Sequence, residues 1–290
     1  MKEATVRRLL PVLLAALSIT WTGTAAAAAP AELEYVALGD SAAAGPLIPA
    51  QELMDLGCLR STRNWPSVLA AKVGATTFRD VSCSGATTDH LTTSQSTFTG
   101  PQPPQLDALT PTTDLVTITI GGNDIGLVGV ALGCVNVFPE PLGMSCKDRL
   151  TAGGDQIAAK IDAYAAEFAA GLDAVKARAP RAEVVVVGYG TYIRPGGCYP
   201  KEPIWARDAD YLQASVHRLN TVLGKVSADR GATFVDIEPP SVGHDVCAPI
   251  TEKWFEGLVP TSAAAPLHPN ARGMAGIGGF VAGSLGVSRL

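Results

Sequence analysis

Four short blocks of the 290-residue chain carry side chains suited to acyl transfer. In the first, Gly39-Asp40-Ser41-Ala42-Ala43-Ala44-Gly45, small neighbours let a substrate carbonyl approach the Ser41 hydroxyl and nearby backbone N–H groups. The second, Cys83-Ser84-Gly85-Ala86-Thr87-Thr88, offers a glycine whose amide can come close to a ligand. In the third, Gly121-Gly122-Asn123-Asp124, the Asn123 amide can aim an N–H at a developing oxyanion. The fourth, Pro266-Leu267-His268-Pro269-Asn270, supplies an imidazole that can take a proton from a serine. Each block alone has a plainer reading. A serine among glycine and alanine is usually a turn residue, Gly121-Gly122 can simply end a strand, and Asn123 can cap the next turn. His268 before a proline can be a structural hydrogen-bonding residue. The four together, in this order, are far less common by chance.

The elements around these blocks explain how they could meet. Residues 33–38 and 76–82 read as strands, and 115–120 is a β-branched run that stops at Gly121. Residues 64–73 open with a capping asparagine and an early proline, then read as a helix. The clearest helix is expected over 151–178, where Ile157, Ile161, Tyr164, Phe168, Leu172 and Val175 recur at steps of three and four. Pro180 ends it, and 183–187 is a near-continuous apolar strand of the kind covered on both faces. A second long helix is expected over 208–228, a last strand over 233–237 and a glycine-rich helix over 270–285, while 126–149 reads as an elaborated loop. Strands alternating with helices predict a three-layer α/β/α domain around a central parallel sheet. Ligands bind such sheets at the carboxyl ends of the strands, where the first three blocks stand.

Composition limits the alternatives. With 47% hydrophobic and 17% charged residues the chain is globular, and a net charge of −5 offers no basic footprint for nucleic acid. Residues 1–29 have the three parts of a secretory leader: Lys2, Arg7 and Arg8, an apolar run over 9–20, and small residues at 25–29. That run is too short to span a bilayer, and no later stretch is long enough, so no stable membrane anchor is expected. Residues 30–290 then form one domain, expected to be extracellular and monomeric. Cys58, Cys83, Cys134, Cys146, Cys198 and Cys247 are an even set in an exported chain, which points to disulfides. Six allow fifteen pairings. Nearest-neighbour pairing (58–83, 134–146, 198–247) staples loops locally without crossing the sheet. There is no CxxC pair and the histidines lack ligand spacing, so no metal is expected. No P-loop is present and Gly188-Tyr189-Gly190 lacks the third glycine of a dinucleotide loop, so no cofactor is expected either.

The order Ser41, Gly85, Asn123, His268 resembles the SGNH, or GDSL-type, hydrolases over the chain from about Leu33 onward. The layout is most similar to the extracellular actinobacterial lipases and esterases of that family. The resemblance implies a flavodoxin-like fold, an ester or lipid substrate, and the same three disulfides. It assigns Ser41 as nucleophile and His268 as base, with the Ser41 N–H, the Gly85 N–H and the Asn123 side chain as the oxyanion hole. One position departs from the pattern. Many members carry an aspartate three residues before the histidine, and here that residue is Ala265. A main-chain carbonyl at or beside Ala265 is expected to orient His268 instead, ahead of Asp245, Glu252 or Glu256.

Other functions compete with this one. Phospholipase A and carbohydrate acetylesterase activities share the chemistry. A metal phosphoesterase would need clustered ligands that the four histidines do not supply, and an inactive binding protein would account for the missing aspartate. The apolar stretch 127–132 after Asn123 could line an acyl site or simply pack on the core. Trp65, Trp205 and Trp254 read as packing residues, although Trp254, ahead of the His268 loop, and His90 could reach the cleft. His217 reads as a helix-surface residue and His244 as part of a stapled loop.

Overall fold

Alternation along the strands builds two cores, one on each face of a single sheet. The computed structural model describes Met1 and residues 32–286, so apart from Met1 the leader expected over 1–29 lies outside the described residues. The chain runs β1 (Glu34–Gly39), α1 (Ser41–Ala44), α2 (Trp65–Val73), β2 (Thr77–Asp80), a small hairpin β3 (Gln95–Thr97) and β4 (Gly100–Gln102), then β5 (Leu115–Thr119). It continues through α3 (Leu127–Leu132), α4 (Cys146–Thr151), α5 (Gln156–Arg178), β6 (Glu183–Val187) and α6 (Ala206–Asp229). The last elements are β7 (Thr233–Val235), α7 (Glu238–Ser241) and α8 (Ala271–Ser284). Strands β2-β1-β5-β6-β7 form one sheet, every neighbouring pair parallel.

Successive residues of a strand face opposite sides, and here both sides are covered. Val36 and Leu38 of β1, Val116 and Ile118 of β5, and Val184 and Val186 of β6 pack with α5 and α6. Tyr35, Ala37, Leu115, Val185 and Val187 pack with Trp65 and Leu69 of α2 and with Met274 and Ile277 of α8. The α2–α8 contact is close because Gly278 has no side chain. A Cβ there would stand 2.7 Å from Val68 Cβ and 2.8 Å from the Trp65 carbonyl oxygen. The three-layer architecture expected from the sequence is therefore present.

Two expectations are corrected. The long helix begins at Gln156, five residues later than expected, because Gly154 takes φ +113° and Asp155 caps the new start by accepting from the Ile157 and Ala158 N–H groups. The region 126–149 is also more than a loop, since it holds α3 and the start of α4. The apolar stripe of α5 is buried as read: all six residues from Ile157 to Val175 lie in the core. The three disulfides are Cys58–Cys83, Cys134–Cys146 and Cys198–Cys247, closing sequence separations of 25, 12 and 49 residues. No helix among the described residues is long and apolar enough to cross a membrane.

Chain entropy ranks these cross-links by loop length, at about 4 kcal/mol for the longest loop and about 3 kcal/mol for the shortest. Replacing Cys198 and Cys247 together by alanine should therefore lower the unfolding midpoint most, and the Cys134–Cys146 pair least. Denaturant melts of the three double variants check the order; equal losses would show that loop length does not govern the effect.

Candidate active site

The carboxyl ends of β1, β5 and β6 lie side by side, and each continues into a residue of one buried network. Gly39 ends β1 at φ +144°, where a Cβ would come within 2.6 Å of the Thr119 carbonyl oxygen, so the chain can turn out of the sheet only as glycine. Gln105 grips Gly39 on both sides: its Oε1 accepts from the Gly39 N–H (2.8 Å) and its Nε2 donates to the Gly39 carbonyl (2.9 Å). The next residue, Asp40, caps α1 by accepting from the Ala42 N–H (2.8 Å). Its other oxygen accepts from the Tyr189 hydroxyl (2.6 Å), which itself accepts from the Gly122 N–H (2.7 Å). Burial pushes the Asp40 carboxyl up to about 7, against the opposing effect of these two donors.

Ser41 is thereby the first residue of α1. Among the described residues, neither its N–H nor that of Gly85 has an acceptor. The Gly85 turn is tied to the Cys58 segment by the disulfide and by the Ser84 N–H to the Cys58 carbonyl (2.9 Å). It is tied to the third block as well. Asn123 Nδ2 donates to the Ala86 carbonyl (2.8 Å), and Asp124 accepts from the Thr88 N–H (2.9 Å). An amide nitrogen carries two hydrogens, so one Asn123 N–H remains for another acceptor.

His268 reaches Ser41 from the C-terminal segment, with Nε2 2.7 Å from Ser41 Oγ. Its Nδ1 lies 2.7 Å from the Pro266 carbonyl oxygen. A carbonyl only accepts, so Nδ1 carries the hydrogen and Nε2 is left to receive the serine proton. The carbonyl expected at or beside Ala265 is that of the next residue, Pro266. Leu267 takes φ +61°, a left-handed turn that folds the Pro266 carbonyl beneath the ring, while the Ala265 N–H donates to the Pro46 carbonyl (2.9 Å). Burial lowers the His268 pKa below the ordinary 6.5, and the Pro266 carbonyl opposes that shift.

No carboxylate among the described residues hydrogen-bonds His268, and two of the three acids considered have other partners. Asp245 pairs with Arg194 (3.0 Å). Glu256 accepts from the Thr261 N–H, the Thr261 and Ser262 hydroxyls and Asn270 Nδ2, all within 2.9 Å. Burial alone would raise the Glu256 carboxyl, but these donors hold it down at about 2. Glu252 offers its main-chain carbonyl to His244 Nδ1.

Asp40, Ser41, Asn123 and His268 line one end of a cleft with about 780 Å3 of empty space, part of it open to solvent. Leu127, Val128 and Ala131 of α3 line it, together with Ile204 and with Leu212 and Val216 of α6. Gly85 is exposed on its turn and is not among the lining residues. Neither His90 nor Trp254 reaches the cleft. His90 Nδ1 accepts from the Thr87 N–H, and Trp254 stacks on His244. His217 is a surface partner of Glu238. Sequence reading missed Tyr189, whose only signal was its position just after a strand, in the fragment set aside as an incomplete dinucleotide loop.

Streptomyces lipases are similar over most of the chain. Lipase 2 of Streptomyces coelicolor is 39% identical over 94% of this chain and 95% of its own, and a lipase of Streptomyces rimosus is 32% identical over 83% and 82%. Among solved structures, phospholipase A1 from Streptomyces albidoflavus superposes with a TM-score of 0.72 at 28% identity, covering 88% of this chain and 99% of that one. The extracellular lipase of S. rimosus gives 0.69 at 29%, with 87% and 99% covered. Residues 37–275 match the GDSL-like lipase/acylhydrolase family, and the chain belongs to that family of ester hydrolases.

Proposed function

We propose that this ester hydrolase is a secreted lipase-type enzyme that forms an acyl-enzyme on Ser41 and prefers esters with an apolar acyl chain. The observation that carries the reading is the Ser41 Oγ–His268 Nε2 hydrogen bond of 2.7 Å at the end of an apolar cleft. Ser41 Oγ attacks the ester carbonyl and its proton passes to His268 Nε2. The Ser41 and Gly85 N–H groups and the second Asn123 amide hydrogen receive the oxyanion. His268 returns the proton to the departing alcohol, then takes one from the water that attacks the acyl carbon and gives it to Ser41 Oγ as the acid leaves. The Pro266 carbonyl keeps the ring in the tautomer this requires, although it stabilises the imidazolium less than a carboxylate would.

The leucine, isoleucine and valine walls favour an acyl chain over an acetylated sugar, and the same walls would accept the acyl chain of a phospholipid. Ser41, Asn123 and His268 come from one chain, which supports a working monomer. Three disulfides and the leader-like composition of 1–29 support export.

Turnover of p-nitrophenyl esters should rise from acetate to octanoate, survive chelators, and vanish in Ser41→Ala with the fold retained by circular dichroism. Fastest turnover of acetate would favour the acetylesterase reading, and residual turnover in Ser41→Ala would remove the nucleophile assignment.

Asn123→Ala should lower kcat by about 10²–10³, the range for one lost oxyanion donor. A change confined to KM would make Asn123 a binding residue only.

Only neutral His268 accepts the serine proton, so kcat/KM should fall as the pH drops through the His268 pKa. Because burial lowers that pKa and no carboxylate opposes it, the midpoint of the acid limb should lie below 6.5. Asp40 titrates nearby, at about 7, so the profile of Asp40→Asn should keep the same limb. A limb above 6.5 in both proteins would point to a carboxylate on the ring.

A further inference from the structure

One polar group in the cleft has no role in the acyl-transfer steps. Glu202 lines the cleft beside Ile204 and is only 5% exposed. Its Oε2 accepts from the Leu258 N–H (3.0 Å). Among the described residues its Oε1 has no hydrogen-bond partner, and the carboxylate forms no ion pair. The group rests in a slot over Gly257, where a Cβ would stand 1.7 Å from Oε1. An acceptor oxygen with no partner is left to take a hydrogen bond from a donor that enters the cleft.

The other polar lining groups cannot make the same selection. Gln213 is used at both ends, accepting from the Tyr192 N–H (2.9 Å) and donating to Glu238 Oε1 (2.9 Å). The Tyr192 hydroxyl also has no partner among the described residues, but a phenol both donates and accepts and so does not discriminate. A carboxylate only accepts.

The position of Glu202 says which half of an ester it would meet. Leu258 follows Glu256 and Gly257, which are bonded to the His268 loop: the Glu256 N–H donates to the His268 carbonyl (2.9 Å), and the Leu267 N–H to the Gly257 carbonyl (3.3 Å). Glu202 is therefore anchored on the His268 side of the cleft, whereas α3 follows Asn123. The departing alcohol must take its proton from His268 Nε2, so it lies on the side of Glu202.

We infer that Glu202 is a specificity-determining acceptor for a free hydroxyl on the alcohol half of the ester, which makes partially esterified polyols the preferred substrates. This rests on the acyl-transfer reading above. The test uses octanoate esters of ethylene glycol and of 2-methoxyethanol, which share the acyl chain and differ in whether the alcohol can donate. The wild-type enzyme should favour the hydroxyethyl over the methoxyethyl ester by about tenfold or more in kcat/KM, the effect of one hydrogen bond to a charged group. Glu202→Gln can keep the Leu258 bond through its amide oxygen and turn an N–H into the cleft, so the ratio should fall to one or below. A wild-type ratio near one, or a ratio unchanged in the variant, overturns the proposal. Should the variant fail to fold, the wild-type ratio alone decides. Ser41→Ala run on the same esters separates the two readings. If it is inactive while the wild-type ratio is flat, only the role of Glu202 fails; if it is active, the acyl-enzyme reading itself fails.

Discussion

The catalytic end of the cleft hangs on one buried hydroxyl. Tyr189, 3% exposed, donates to Asp40 and accepts from the Gly122 N–H, so a single oxygen fixes both the turn that carries Ser41 and the turn that carries Asn123. Its reach depends on the strand order, because β5 stands between β1 and β6 and brings Gly122 between the other two ends. The phenol extends from a main chain held by Asn220 of α6, which accepts from the Tyr189 N–H (2.8 Å) and donates to the Tyr189 carbonyl (2.7 Å). Burial and the neighbouring Asp40 charge keep its pKa well above the ordinary value, so it stays a donor across the working range. A buried group stripped of its partner costs roughly 1–3 kcal/mol, and removing this oxygen strips two.

The histidine arrives by a different route. Glu256 belongs to the segment whose main chain bonds the His268 carbonyl, yet its charge is spent on Thr261, Ser262 and Asn270, the residues that flank the His268 loop. The acid thus fixes the loop rather than the ring. A neutral carbonyl then sets the tautomer, and the imidazole stays neutral to lower pH than one paired with a carboxylate. The arrangement gives up some stabilisation of the imidazolium and gains a base that is ready in mildly acidic surroundings.

What could be read from the sequence, and what could not, follows from the range of each interaction. Val116, Ile118 and Val184–Val187 announce buried strands by residue type alone, and the stripe from Ile157 to Val175 announces its helix by spacing. The four blocks were legible because each puts a reactive or flexible residue just past a strand or before a helix. Tyr189 obeys the same rule, but its meaning depends on which strands are neighbours, and no local pattern encodes that. The choice of Pro266 rather than Ala265 turns on the backbone angle of Leu267, a residue type that gives no hint of a left-handed turn. The late start of α5 could have been seen, since Gly153-Gly154-Asp155 is a break followed by a cap.

The far wall of the cleft is not part of the sheet, yet it is held almost as firmly. Much of it comes from the connection between β6 and α6, which carries Tyr192, Ile193, Glu202 and Ile204. Four links tie this connection to residues 245–248: the Cys198–Cys247 disulfide, the Arg194–Asp245 ion pair, the Val246 N–H to the Tyr192 carbonyl, and Lys201 Nζ to the Cys247 and Ala248 carbonyls. Surface ion pairs alone contribute little, but Asp245 is 1% exposed and also accepts from the Cys247 N–H, so the pair and the disulfide brace the same turn. A connection anchored at so many points has lost its freedom before any ester arrives. The cost of ordering the binding wall is therefore met during folding, which leaves more of the contact with an acyl chain available for positioning its carbonyl against Ser41. On this view the longest disulfide loop serves the cleft as much as the fold.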